Sequence, residues 1–189
     1  MTKHDETFRI LVVDDNKELR EILEEYLRVE GNVTDGAANG REALAKHGEN
    51  PYDLIVTDLN MPEVTGMELI RSIKRDNDDT EFIIVTGYAS LDSVVEAVKM
   101  GAFGYIIKPF RMEELKVVVK NALDKVSLKK LNRILLKELK SLHDEIERYR
   151  RGANIESVEP AGKQMDNTEQ ILEEIEKIEK LAKGRLLID

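Results

Sequence analysis

Five short apolar runs, each followed by a helical pattern, restrict this chain to a narrow set of folds. The strand candidates are 9–13, 32–37, 54–58, 81–86 and 104–107. The helix candidates are 17–30, 39–47, 66–76, 90–100 and 111 onward. Strands in strict alternation with helices predict a parallel, doubly wound α/β sheet, and continuous apolar runs are what strands buried on both faces require. The punctuation agrees. Asn16 and Ser90 are placed to cap the first and fourth helices, and Gly31 and Gly101 to end them. Gly40 and Gly48 bracket the second helix, and Gly66 opens the third. The second strand is small and polar, which predicts an edge position.

The strand ends carry the chemistry. In an open α/β sheet the carboxyl ends of the strands gather on one rim, and ligands bind there. The run Ile10-Leu11-Val12-Val13 leads into Asp14 and Asp15, Leu54-Ile55-Val56-Thr57 into Asp58, Phe82-Ile83-Ile84-Val85 into Thr86, and Tyr105-Ile106-Ile107 into Lys108. Three carboxylates, a hydroxyl and a lysine should therefore converge. Clustered carboxylates repel one another unless a divalent cation sits among them, and Mg²⁺ accepts this kind of hard oxygen set. A carboxylate can also act as a nucleophile and form an acyl phosphate. Lys108 is a point charge able to pair with a phosphoryl oxygen, and Thr86 can donate a hydrogen bond to another.

After the last strand the helix does not stop where the sheet needs it to. Residues 112–151 contain no Gly or Pro, enough for a helix of about 60 Å. Leu115, Val118, Val119, Ala122 and Val126 form one face, suited to the sheet. Leu128, Leu131, Leu135, Leu139, Leu142, Ile146 and Tyr149 form a second stripe, spaced 3, 4, 4, 3, 4 and 3. That is the seam of an imperfect coiled coil, and it predicts a homodimer through residues 128–149. Folding back onto the same domain is the competing reading. The expected divisions are a first domain at 1–124, a helical continuation at 125–151, a linker at 152–167, an amphipathic helix at 168–183 and a tail at 184–189. The amphipathic helix needs the coil, a partner or further chain to bury its apolar stripe.

Composition removes several function classes. There is no cysteine, so disulfide, zinc-thiolate and thiol-nucleophile chemistry are excluded. No apolar run approaches the length of a membrane span, and the polar N-terminus lacks a signal-peptide pattern, which predicts a cytoplasmic protein. The net charge of −9 divides into −10 over residues 1–124, +5 over 125–151 and −4 over 152–189. The acidic first block opposes nucleic-acid binding, and the basic middle block reads as a solvated helix face. His4 and His47 sit in polar contexts and read as solvated, and His143 reads as a surface helix residue. The glycines form no phosphate-binding loop.

The motifs, in order, are Val12-Val13-Asp14-Asp15-Asn16, then Asp58-Leu59-Asn60-Met61-Pro62 with Gly66, then Val85-Thr86-Gly87, then Tyr105-Ile106-Ile107-Lys108-Pro109-Phe110. Each alone is weak. Together they resemble the receiver domain of two-component response regulators, over roughly residues 8–124, and most strongly the receivers of nitrogen-regulatory, sigma-54-activator type. The resemblance implies a flavodoxin-like (βα)5 domain followed by an all-α extension. It implies that Asp58 accepts a phosphoryl group from a sensor histidine kinase or phosphotransfer protein. It further implies Mg²⁺ held by Asp14, Asp15, Asp58 and the Asn60 backbone carbonyl, with Lys108 on the phosphoryl group and a cis Lys108–Pro109 peptide. Thr86 and Tyr105 would turn inward on phosphorylation and alter the fourth helix, fifth strand and fifth helix. Asn60 and Tyr88 would modulate hydrolysis, a bulky Tyr88 hindering the attacking water.

On this reading the protein is a signalling phosphoacceptor rather than an enzyme. Its helical extension dimerises or docks on an output partner that the sequence does not identify. Two rivals remain. One is a fragment of a DNA-binding transcriptional regulator, opposed by the acidic tail. The other is a metal-dependent phosphatase, for which Asn60 stands where haloacid-dehalogenase phosphatases want a second acid.

Overall fold

The computed structural model describes residues 6–76 and 79–152. The elements run β1 (Arg9–Val13), α1 (Lys17–Val29), β2 (Val33–Ala37), α2 (Gly40–Glu49), β3 (Leu54–Thr57), α3 (Gly66–Asp76), β4 (Glu81–Thr86), α4 (Leu91–Lys99), β5 (Gly104–Ile107) and α5 (Met112–Gly152). The five strands form one parallel sheet in the order β2-β1-β3-β4-β5. The weak second strand lies at the edge, as its composition predicts.

Alternate residues of each strand feed two apolar layers. Ile10, Val12, Leu54, Val56, Ile83 and Val85 pack with Leu23 and Leu27 of α1 and Leu115, Val119 and Ala122 of α5. Leu11, Val13, Ile55 and Ile84 pack on the other face with Ala43 of α2, Leu69 and Ile70 of α3 and Ala97 of α4. This burial on both faces is why the strands read as unbroken apolar runs. Asn16 accepts a hydrogen bond from Leu19 N, and Ser90 forms a reciprocal capping box with Ser93. Gly31 and Gly101 follow their helices with φ of 98° and 77°, the left-handed conformation glycine adopts at low cost.

Two expectations are corrected in α2. Asn39, not Gly40, supplies the cap, and Gly48 lies inside a helix that continues to Glu49. His47 is buried rather than solvated, and its Nδ1 accepts from Tyr52 N at 3.3 Å. Burial pushes its imidazole below the ordinary histidine value. His4 and the segments at 153–189 lie outside the described residues.

At the amino ends of the strands, α5 is held by charge. Glu81, the first residue of β4, is fully buried. Its Oε1 is 2.8 Å from Lys129 Nζ and 3.1 Å from Lys125 Nζ. Lys130 Nζ lies 2.9 Å from Asp53 Oδ1, 3.3 Å from Glu6 Oε1 and 4.9 Å from the Phe8 ring centroid. Burial opposes the Lys130 charge, but the hydrogen bonds and charges of Asp53 and Glu6 outweigh it and hold the ammonium above its usual value.

The chain divides into two compact units, Met1–Lys130 and Leu131–Asp189. α5 is helical throughout Met112–Gly152. Leu128, Leu131, Leu135, Leu139, Leu142, Ile146 and Tyr149 are all exposed. No helix among the described residues is long and apolar enough to cross a membrane.

Candidate functional site

The sheet register brings the acidic strand ends together. Val13 of β1 pairs with Thr57 of β3, so Asp14 and Asp58 leave the sheet side by side. Their backbones are pinned: Asp14 N donates to Ala37 O at 3.1 Å, and Asp58 N to Val13 O at 2.9 Å. Lys108 N donates to Thr86 O at 2.9 Å, which fixes the end of β5 beside the end of β4. The Lys108–Pro109 peptide is cis.

Lys108 Nζ donates to Asp14 Oδ2 at 2.6 Å and to Asp58 Oδ2 at 2.7 Å. Both aspartates are buried. Burial alone would lower the Lys108 pKa, but its hydrogen bonds to Asp14 and Asp58, helped by their charges, raise it. The remaining oxygens are partly engaged: Asp14 Oδ1 accepts from Asn16 N at 2.9 Å, and Asp58 Oδ1 from Asn60 N at 3.2 Å. Asp15 and Asn60 sit at the rim, exposed to solvent. Thr86 is fully buried, and its Oγ1 accepts from Tyr88 N at 3.2 Å. Tyr105 is half-buried with its hydroxyl 3.0 Å from Ser93 Oγ, and the Tyr88 side chain is exposed. The structure therefore gathers Asp14, Asp58 and Lys108 into one cluster. It leaves Asp15 and Asn60 beside the cluster, ties Tyr105 to the first turn of α4 and Thr86 to the loop before it, and leaves the Tyr88 side chain exposed.

Of two supports, Arg20 was not read from the sequence, and Gly66 was read only as the start of the third helix and as part of the motif. Arg20 of α1 donates through Nη1 to Asp14 O at 2.6 Å and holds the acidic turn from outside. Gly66 is more constraining. A Cβ there would stand 2.2 Å from Asp58 O. Gly66 N also donates to Leu59 O at 3.0 Å, so the first turn of α3 rests on the backbone of the acidic residue. Gly66→Ala must displace one of the two segments. The expected outcome is a loss of about 1–3 kcal/mol in stability, read by urea unfolding, with slower modification of Asp58 in the folded fraction. A spacing signal existed, since a glycine eight residues past an acid at a strand end marks a close return of the loop.

The chemistry suits a hard cation and a phosphoryl group. Among the described residues no three acidic, histidine or cysteine side chains already converge as a closed cage. Mg²⁺ does not need one: it keeps several waters and takes one or two carboxylates together with phosphate oxygens. Two buried carboxylates with a third beside them at the solvent rim fit that pattern.

A flavodoxin-like α/β domain with an acid–lysine cluster at its carboxyl rim is the class that fold and site define. Residues 10–120 match the family model described as the response regulator receiver domain. The chain is 36% identical over 135 residues to regulatory protein AtoC of Escherichia coli, covering 71% of this chain and 28% of AtoC. It is 35% identical over 115 residues to sporulation initiation phosphotransferase F of Bacillus subtilis, covering 61% of this chain and 93% of that protein. Among solved structures, the response regulator TrrA of Thermotoga maritima in complex with Mg²⁺ and beryllofluoride matches with a TM-score of 0.56. The identity there is 39%, over 61% of this chain and 99% of TrrA. The chain belongs to the response regulator receiver domain family. It spans only about a quarter of AtoC's length.

Proposed function

We propose that this protein is a response regulator of a two-component phosphorelay in the cytoplasm, with Asp58 as its phosphoacceptor. The observation that carries the proposal is the pairing of one lysine with two buried aspartates at adjoining strand ends. An Asp58 carboxylate oxygen attacks phosphorus as the P–N bond of a phosphohistidine on a sensor kinase or phosphotransfer protein breaks. The new bond is P–O, and the leaving imidazole takes up a proton. Lys108 already pairs with Asp58 and moves its charge onto the incoming phosphoryl oxygens. Asp14, Asp15, Asp58 and the Asn60 backbone carbonyl are the groups that hold Mg²⁺. When bound, Mg²⁺ supplies charge neutralisation at the phosphoryl oxygens. Thr86 then leaves Tyr88 N for the phosphoryl group, and Tyr105 turns inward behind it. Asn60 and the exposed Tyr88 flank the line of attack of hydrolytic water and set the lifetime of the acyl phosphate.

The output runs through the α4, β5 and α5 surface into the helical extension, which begins after Lys130 rather than at residue 124. The extension pairs with a second copy through residues 128–149, and the stripe of seven exposed apolar side chains from Leu128 to Tyr149 supports this. The acidic charge of residues 152–189 weighs against a DNA-binding fragment, and Asn60 weighs against a phosphatase. Light scattering of the intact chain, with and without Mg²⁺ and beryllofluoride, tests the output. A change in mass places the output in the coil, while an unchanged monomer in both states overturns dimerisation. Catalytic turnover of a simple phosphoester would support the phosphatase reading instead.

A further inference from the structure

The hydroxyl of Ser93 is part of the α4 cap, yet it also reaches the sheet. Ser93 Oγ donates to Ser90 O at 2.9 Å and accepts from Ser90 N at 3.0 Å. A serine hydroxyl has one proton. Two further contacts, at 3.1 Å to Ser90 Oγ and 3.0 Å to the Tyr105 phenol, compete for it, and in the second either hydroxyl can donate. The sheet register decides what this contact restrains. Ile84 pairs with Tyr105 and Thr86 with Ile107. Paired residues of neighbouring strands share a face, and so do residues two apart along a strand. Thr86 and Tyr105 are therefore diagonal neighbours on the face that α4 covers. Thr86 Oγ1 is occupied by Tyr88 N. Both side chains are thus tied to the same entry into α4, Thr86 by the loop and Tyr105 by the first turn.

We propose that Ser93 is a positioning residue that latches Tyr105 against α4 and so opposes the inward movement of Thr86 and Tyr105. This rests on the phosphoacceptor reading above and deepens it, because it names the group that sets the resting balance of the switch. Releasing the latch favours the inward state without touching any group at Asp58. The cap and the latch share one oxygen, so the first turn of α4 senses the Tyr105 rotamer directly. A ligand that selects the inward state must break the latch, and its apparent affinity is lowered by the same factor.

The test uses the full chain, Mg²⁺ and beryllofluoride, with Ser93→Ala, Tyr105→Phe, the double variant and Ser93→Thr. Tyr105→Phe removes the same hydrogen bond and leaves the cap whole. Each single variant is expected to bind beryllofluoride about fivefold more tightly, the factor that corresponds to one ordinary neutral hydrogen bond. The double variant should match the singles rather than multiply them, and Ser93→Thr should restore the wild-type affinity. Tyrosine-ring NMR of Ser93→Ala without beryllofluoride should shift toward the wild-type bound spectrum, which cap loss alone would not cause. Should Ser93→Ala fail to fold, Tyr105→Phe carries the test alone. Unchanged affinity in Tyr105→Phe, or multiplicative effects in the double variant, overturns the latch. Failure of the wild type itself to bind beryllofluoride overturns the phosphoacceptor reading, and the latch with it.

Discussion

Incubated with acetyl phosphate and Mg²⁺, the intact chain is expected to take up one phosphoryl group, and Asp58→Asn none. Intact-mass measurement reads this directly. The two buried aspartates have matching side-chain partners, Lys108 and the backbone N–H two residues on, so labelling of the variant is what separates the acceptor from the ligand. Asp14 has its backbone carbonyl held by Arg20, whereas the Asp58 carbonyl accepts from Thr57 Oγ1. Asp58 closes β3 with its backbone gripped by Val13 O. Its side chain is held by a single backbone donor, Asn60 N, besides Lys108. Lys108→Ala removes the one positive charge that meets both acids. It should slow labelling by about a hundredfold, the usual cost of deleting one donor aimed at developing charge. Lys108→Arg should not rescue it, because a planar guanidinium cannot occupy the position of a compact ammonium between two carboxylates. Labelling of Asp58→Asn at the wild-type level would end the proposal.

Removing Lys125 and Lys129 together should destabilise the domain by about 3–5 kcal/mol, the cost of leaving a buried carboxylate without its counter-charge. Glu81 has no exposed surface, whereas the two lysine side chains are 45% and 30% exposed. That asymmetry sets the direction of the comparison. Glu81→Gln leaves no buried carboxylate behind and both lysine side chains are partly exposed, so its cost should be about 1 kcal/mol, that of one ordinary hydrogen bond. Urea unfolding of the double alanine variant and of Glu81→Gln makes the comparison. Equal losses would show that the pairing, rather than the stranded acid, carries the energy.

The strands were legible in the sequence because parallel strands buried on both faces leave little choice of residue. Each of the five was placed within a residue of where it stands. Asp14, Asp58 and Lys108 were legible for a related reason: strand ends of a doubly wound sheet share one rim, and Asp14 and Asp58 follow paired residues. His47 was misread although a signal was present, since Gly40, Ala43 and His47 recur at helical spacing and all three are buried. The Glu81 clamp was hidden because it joins an acid at a strand start to lysines more than forty residues away. An acid opening an otherwise apolar strand was its only trace. The contact between Ser93 and Tyr105 depends on a rotamer, which no spacing rule specifies. Residues that share a strand-end rim could be read, and contacts that depend on a side-chain rotamer away from it could not.

Thr86 and Glu81 are opposite ends of one six-residue strand, about 17 Å apart. They share no hydrogen-bond partner, and at that separation substitutions combine additively. Thermal endurance can therefore be engineered at one pole of the sheet, for instance by trading the lysine–glutamate cluster for hydrocarbon packing. The duration of the chemical signal stored at the other pole would be left alone.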